Sequence, residues 1–308
     1  MKLSYLSDSL GNLSFDEMLK TVSGLGVHAL ELTTGNWGAS PHLDLDALLC
    51  SDVQRQKFCD ILKRYGMKVI ALNCSGNPLA FSKDMEITEK TFRLAEKLGI
   101  RKIVMMSGLP PGNSGDTTPV WVSTSWPPLT QDILKYQWEE VAVPVWRKLA
   151  GQAEECGIQK IALENHGWQL VYNPETLLRL RGEVGNIIGM NLDPSHLFWM
   201  GGDPICAARE LGKAIYHVHG KDSRIERSLC DRNGVLDTKP ISRFSERSWN
   251  YVAVGCGHDL QWWKEFFSVV RMCGYDGEVS LEMEDLTMDA MTGIKMSVAC
   301  LKQAMGED

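Results

Sequence analysis

This sequence predicts an α/β fold closed into a (β/α)8 TIM barrel, and three observations carry that expectation. Short apolar runs alternate with amphipathic stretches along the whole chain, the runs number eight, and glycines punctuate the helix ends. Runs rich in Val, Ile, Leu and Met suit parallel strands buried on both faces. Strict strand–helix alternation places helices outside a parallel sheet, and eight units point to closure. An open doubly wound sheet is disfavoured because no Gly-x-Gly-x-x-Gly turn follows the first run.

Taken in order, the expected strands cover Leu3–Leu10, Ala29–Thr34, Lys68–Asn73, Lys102–Ser107, Lys160–Asn165, Ile188–Asp193, Ala214–His219 and Gly277–Met283. Ser14 should cap the first helix, with Glu17 completing a capping box and Gly26 following the helix end. Later helices are expected over Asp52–Tyr65, Met85–Leu98, Gln137–Cys156, Pro174–Arg181, Pro204–Leu211, Leu260–Cys273 and Met288–Lys302. Gly66, Gly99, Gly157, Gly182, Gly212 and Gly274 each stand just past one of them, where a left-handed cap suits glycine.

Two connections are long, Leu109–Tyr136 after strand four and Ser223–Gly257 after strand seven. Both leave the C-terminal ends of strands, the face where barrel sites collect, so both should be ordered binding loops or lids. No internal repeat, linker or low-complexity tract interrupts the pattern, and residues 1–308 form one expected domain.

The net charge of -7 argues against nucleic acid as a partner, since phosphates demand a basic surface. No apolar run is long enough to span a membrane, and the first residues lack the layout of a signal peptide. The nine cysteines are scattered without a C-x-x-C pair, so reduced, mostly buried thiols in a cytoplasmic protein are expected.

The chemistry concentrates in the second half. Strand ends read Ile161-Ala-Leu-Glu-Asn165, Met190-Asn-Leu-Asp-Pro194, Tyr216-His-Val-His-Gly220 and Ser280-Leu-Glu-Met-Glu284. Side chains alternate along a strand. With the leucines, Val218 and Met283 facing the helices, Glu164, Asp193, His219 and Glu282 face the barrel axis. Three carboxylates in one space repel each other and require positive charge. One imidazole with three carboxylates suits a single divalent metal ion, Mn²⁺ first, with Mg²⁺, Co²⁺ or Zn²⁺ admissible. Glu284 also faces inward and rivals Glu282 as the fourth ligand. His196 should hang over the metal as a substrate contact, and His217 should be an interior hydrogen-bonded histidine. His166 should lean inward at the rim. Lys221 and Asp222 should touch substrate or orient His219. Trp121 and Trp126, if over the mouth, would stack on a sugar and exclude water.

The segments Ala162-Leu-Glu164, Asn191-Leu-Asp-Pro-Ser-His196, His217-Val-His-Gly-Lys-Asp222 and Gly274-Tyr-Asp-Gly-Glu-Val-Ser-Leu-Glu-Met-Glu-Asp285 resemble the xylose isomerase-like TIM-barrel superfamily. Within it the chain is most similar to the sugar phosphate isomerase/epimerase group. The resemblance implies a Glu–Asp–His–Glu metal site on Glu164, Asp193, His219 and Glu282, with the two glutamates moving protons and His196 binding substrate. Ketose 3-epimerase relatives carry an arginine six residues after the metal histidine; this chain has Ile225 there and Arg224 one position early.

The expected activity is therefore isomerisation or epimerisation of a sugar or keto-sugar. Glu164 or Glu282 would abstract a proton beside the carbonyl, giving a metal-stabilised enediolate. A lyase that eliminates a group from a keto-glycoside would share that intermediate. A non-enzymatic sugar-binding barrel is a third class. An abasic-site endonuclease is disfavoured, because strands one to four end in Ser7, Asp8, Thr33, Thr34, Asn73, Cys74 and Ser107, without histidine or glutamate. Exposed tryptophans on long loops would suit a partner subunit, so a homo-oligomer is admissible.

Overall fold

The computed structural model describes residues 1–307. Its strands are β1 (Lys2–Leu6), β2 (Ala29–Thr33), β3 (Lys68–Asn73), β4 (Lys102–Met105), β5 (Lys160–Glu164), β6 (Ile188–Leu192), β7 (Ile215–Gly220), β8 (Asp222–Ile225), β9 (Trp249–Val252) and β10 (Glu278–Leu281). The first seven and β10 form the closed parallel barrel, with β10 between β7 and β1. All eight expected barrel strands are present. β8 and β9 pair antiparallel, so the long connection after β7 has a sheet of its own.

The largest departures lie at element ends. The first strand stops at Leu6 and passes into a 3-10 turn, Ser7–Leu10, closed by Gly11 N–H donating to Asp8 O. The Ser14–Glu17 capping box forms as expected. The helix Pro174–Val184 runs past Gly182 and stops before Gly185, whose φ of 128° ends it. Between Leu129 and Glu155 one continuous helical path includes a wide π turn, Tyr136–Ala142, just before Pro144. Proline lacks the N–H that an α ladder needs there, and the wider turn absorbs the break. Part of the expected fourth loop is thus helix. Only Cys74 of the nine thiols is buried; Cys50, Cys59 and Cys206 are exposed, which corrects the expectation of mostly buried cysteines. No helix is long and apolar enough to cross a membrane among the described residues.

Alternation divides each strand as the period of two requires. Leu30, Leu32, Leu163, Leu192, Val218 and Leu281 join the main core between strands and helices. Inside the barrel a small apolar patch contains Ala71, Val104 and Ala162. The rest of the interior is polar: Ser4, Glu31, Asn191, His217 and Ser280 are all fully buried.

Close approach fixes one glycine of the barrel. A Cβ on Gly189 would stand 2.3 Å from the Tyr216 ring and 2.7 Å from Ala214 O. Gly189 lies in β6, the strand that carries Asn191 and leads into Asp193. Gly189→Ala is expected to lower stability by about 1–3 kcal/mol, the range for overpacking a close-packed interior. Urea unfolding reads this as a lower midpoint at unchanged slope; an unchanged midpoint would show that Tyr216 can move aside.

Candidate metal centre and its cavity

Four side chains meet at the C-terminal ends of neighbouring strands. Glu164 ends β5, Asp193 follows β6 and caps the helix Pro194–Met200, His219 lies in β7, and Glu282 follows β10. One donor atom from each lies within 4.8 Å of the other three, and all four residues are buried. His219 Nδ1 is 2.9 Å from Glu282 Oε2, 3.4 Å from Glu164 Oε2 and 3.8 Å from Asp193 Oδ2. Despite this crowding, His219 Nδ1, Glu282 Oε2 and Asp193 Oδ2 have no hydrogen-bond partner. Buried polar atoms without partners cost free energy, and a divalent ion among them would satisfy all three at once. The donor set suits such an ion, so these residues fit a metal. Glu284 is outside the cluster: it is partly exposed and ion-paired to Lys221 at 2.6 Å. The geometry favours Glu282 of the two.

Glu31, which the sequence reading overlooked, explains why His219 presents Nδ1. It sits within β2 rather than at its end and is fully buried. Both its oxygens lie 3.3 Å from His219 Nε2. It also accepts from Asn73 Nδ2 at 2.7 Å and from His217 Nε2 at 2.8 Å. On the far side of His217, Lys102 Nζ stands 3.0 Å from Nδ1. The ammonium can only donate, so His217 Nδ1 accepts and its Nε2–H points to Glu31. The hydrogen-bond network likewise assigns the Nε2–H of His219 to Glu31, as a carboxylate commonly orients a metal-ligating imidazole. Burial pushes Glu31 up, but His219 and His217 outweigh it and hold the carboxyl well below the usual range. Burial and Lys102 push His217 down to about 4, in keeping with its expected interior role. Burial also opposes a charged His219, yet Glu31 and the surrounding carboxylates raise it well above normal. The sequence signal for Glu31 was a lone acid between Leu30 and Leu32 of an apolar strand.

A cavity of about 440 Å³ opens over this cluster, lined in part by Asp8, Trp37, His166, Lys221, Trp249 and Tyr251. Lys221 and His166 thus both line the cavity. Lys221 Nζ donates to Glu282 Oε1 at 2.8 Å. Burial would raise Glu282, but Lys221 and then His219 bring it down to about 2, whereas burial leaves Glu164 above its ordinary value despite His196. Burial and the neighbouring His196 push His166 down to about 3.

His196 is fully buried and does not line the cavity. Its Nε2 is 3.0 Å from Glu164 Oε1, and its Nδ1 is 3.2 Å from the Tyr251 hydroxyl. It braces Glu164 instead of hanging over the mouth. Asp222 is also turned away from the cavity. Its oxygens accept from the backbone N–H groups of Ser223, Gly255, Gly257 and His258, and from His258 Nδ1 at 2.8 Å. It anchors the returning loop. Trp121 packs edge-on against Tyr172 at 5.8 Å and lines a different pocket, while Trp126 projects into solvent. The tryptophans at the mouth are Trp37 and Trp249.

A closed (β/α)8 barrel defines a class of fold, and comparison with known proteins places the chain within it. The family described as xylose isomerase-like TIM barrel matches residues 19–304, and the chain belongs to that family. It is 59% identical over 313 residues to the uncharacterized protein YfiH of Bacillus subtilis (strain 168), covering 100% of each chain. Among solved structures it resembles the IOLI protein with a bound zinc atom, at a TM-score of 0.68 and 19% identity, covering 100% of this chain and 99% of that one. It also resembles an L-ribulose 3-epimerase, at a TM-score of 0.63 and 18% identity, covering 99% and 95%. At these identities the two structures share the fold.

Truncating Glu31 would leave the N–H donors of Asn73, His217 and His219 facing an apolar gap. Glu31→Ala is expected to lower stability by roughly 3–5 kcal/mol, as for one partner removed from a buried charged set. Chemical denaturation monitored by tryptophan fluorescence measures it, and a loss below about 1 kcal/mol would mean that water replaces the carboxylate.

Proposed function

We propose that this protein is a divalent-metal-dependent isomerase or epimerase of a sugar or keto-sugar, with Glu164 and Glu282 as the proton-transfer pair. One observation carries the reading: buried, unpartnered atoms of Asp193, His219 and Glu282, grouped with Glu164, face one another beneath a cavity of sugar size. The zinc in the IOLI structure and the epimerase fold relative agree with it.

A divalent ion held by Glu164, Asp193, His219 and Glu282, with Mn²⁺ as the first choice, would supply Lewis acidity toward a carbonyl and its neighbouring hydroxyl. The protein's own side chains then do the rest. One of the two glutamates takes the proton from the carbon beside the carbonyl, and the same or the opposite one returns it. Return to the other face of that carbon epimerises; return to the adjacent carbon, with the hydroxyl proton passing to the former carbonyl oxygen, isomerises. The Glu164 carboxylate is held in place by His196 and by Asn191 Nδ2 at 3.2 Å, and Tyr251 holds His196 in turn. Lys221 holds Glu282 through Oε1 and leaves Oε2 free. Two fixed carboxylates on separate strands are what transfer across a substrate plane requires. Trp37, Trp249 and Tyr251 wall the cavity and limit access of water.

Elimination from a keto-glycoside shares the first step. Trp37 favours it for substrates that carry an aglycone, since its ring is 45% exposed at the mouth and leans on Trp168 at 6.2 Å.

Turnover of keto-sugars by the Mn²⁺-loaded protein in deuterium oxide should place deuterium on the carbon beside the carbonyl. Products that neither gain deuterium there nor carry a substrate ²H label from that carbon to its neighbour would rule out the proton-abstraction scheme. Glu164→Gln and Glu282→Gln should each lower kcat by about 10²–10⁴, the usual worth of a positioned acid or base, whereas Glu284→Gln should stay within about tenfold. The reverse pattern at Glu282 and Glu284 would move the role two residues along. Product analysis separates an epimer or isomer from an eliminated aglycone.

A further inference from the structure

We propose that the N-terminal pole of the barrel carries a second binding site, for a phosphate-type oxyanion, built by Lys102, Lys160 and Lys213.

The two ends of this barrel are opposite in charge. At the C-terminal end the cavity is lined by the carboxyl groups of Asp8, Glu164, Glu282 and Glu284 against one ammonium, Lys221. At the other end a separate cavity of about 200 Å³ lies among the starts of β4, β5, β7 and β10. Its charged and aromatic lining includes Lys102, Lys160, Lys213, Tyr216, Asp276 and Glu278. Three ammonium groups thus gather around one space in a chain of net charge -7.

The fold forces this gathering. Lys102 opens β4 and Lys160 opens β5, and the parallel register makes them direct neighbours. Adjacent strands lie only about 4.8 Å apart. Burial first, and then the charge of Lys160, push the Lys102 ammonium down, against Glu278 and Glu31. Lys213 stands in the 3-10 turn Gly212–Ala214 that leads into β7. The Lys160 ammonium sits over the Tyr216 ring, 5.2 Å from its centre. That ring is itself fixed, because its hydroxyl donates to Asn186 O and accepts from Arg181 at 2.9 Å.

The acidic neighbours are engaged. Asp276 binds the amino terminus of Met1 at 2.5 Å and Arg271 at 3.5 Å, and Glu278 faces Lys102 at 3.5 Å. Lys160 and Lys213 have no ion-pair partner among the described residues, and both are exposed. Lys102 is largely buried, with its side chain 12% exposed. Its ammonium has three N–H donors, of which one meets His217 Nδ1 at 3.0 Å and one faces Glu278. One remains. A tetrahedral dianion offers an oxygen to each of the three lysines and relieves their mutual repulsion. Point-like ammonium groups suit phosphate, whereas a planar carboxylate is matched better by the arginine fork. The volume admits the phosphate group and a short part of whatever carries it, so free phosphate and a small monoester share this chemistry. Ser4, Glu31, His217 and Ser280, all fully buried, fill the barrel between the poles. The lower site therefore stands apart from the upper cavity and does not depend on the activity assigned there.

The experiment titrates the full chain with inorganic phosphate and, separately, with glycerol phosphate, in buffer free of divalent salts and at constant ionic strength. Calorimetry and thermal unfolding are the readouts. The double variant Lys160→Gln/Lys213→Gln removes two exposed charges and leaves the Lys102 contact to His217 in place. Lys264→Gln, exposed on the helix Leu260–Met272, is the charge control. Parent and control should bind at least one of the two anions alike, and the unfolding midpoint should rise with its concentration, as a ligand of the folded state requires. The tighter of the two anions identifies the source of the phosphate. The double variant should bind at least about tenfold more weakly, the loss expected of charge-assisted hydrogen bonds, and should lose most of the thermal shift. Absence of binding by both anions, equal binding by parent and double variant, or an equal loss in Lys264→Gln overturns the proposal.

Discussion

The arrangement depends on a single ionised carboxylate, Glu31, at the centre of a barrel that excludes water from it. A bare buried carboxylate is among the costliest groups a fold can carry. Here it is tolerable because three N–H donors arrive from three other places: Asn73 on β3 and two histidines on β7. Those donors are fixed by the same contacts that stabilise the acid. His219 cannot rotate without exposing Glu31 to an unmet charge, so the ring edge that faces the carboxylate cluster is set from below. The unpartnered atoms above are a consequence of that support.

The connection after β7 forms part of the site's architecture. β8 and β9 pair antiparallel, and Asp222 gathers the backbone of the returning segment around its carboxylate. That anchoring brings Tyr251 over the cavity, where its hydroxyl meets His196 and its ring meets Lys221. One loop thus reaches both glutamates, Glu164 through His196 and Glu282 through Lys221. Its orientation is set by hydrogen bonds made away from the cavity, which leaves the cavity-facing side chains free to differ without loosening the loop.

The sequence revealed those features that local periodicity controls. Eight apolar runs gave the barrel, and alternation within four of them placed Glu164, Asp193, His219 and Glu282 on the axis, where the structure brings them together. Choosing Glu282 over Glu284 lay beyond alternation, because both face inward; Lys221 and the end of β10 separate them in space. Glu31 went unrecognised for a different reason. Its partner His217 is 186 positions away, and nothing local marks an acid in a strand as one half of a distant pair. Asp222 was misplaced because it directly follows the β7 motif, and the sequence does not show that β9 returns to pair with it. The mouth tryptophans were sought in the loop after β4, whereas Trp37 comes from the loop after β2 and Trp249 from β9.

The Lys102 contact to His217 carries a consequence for how such a barrel can diverge. Lys102 opens β4 at the end of the barrel remote from the cavity, near Glu278 at 3.5 Å. Barrels of this kind are ordinarily free to drift at that pole while chemistry is conserved at the other. In this chain the two poles are joined through His217, Glu31 and His219, so a change of charge at Lys102 would propagate to the opposite rim. Substitutions there should be tolerated only in company, with Lys102, His217 and Glu31 changing as one heritable unit.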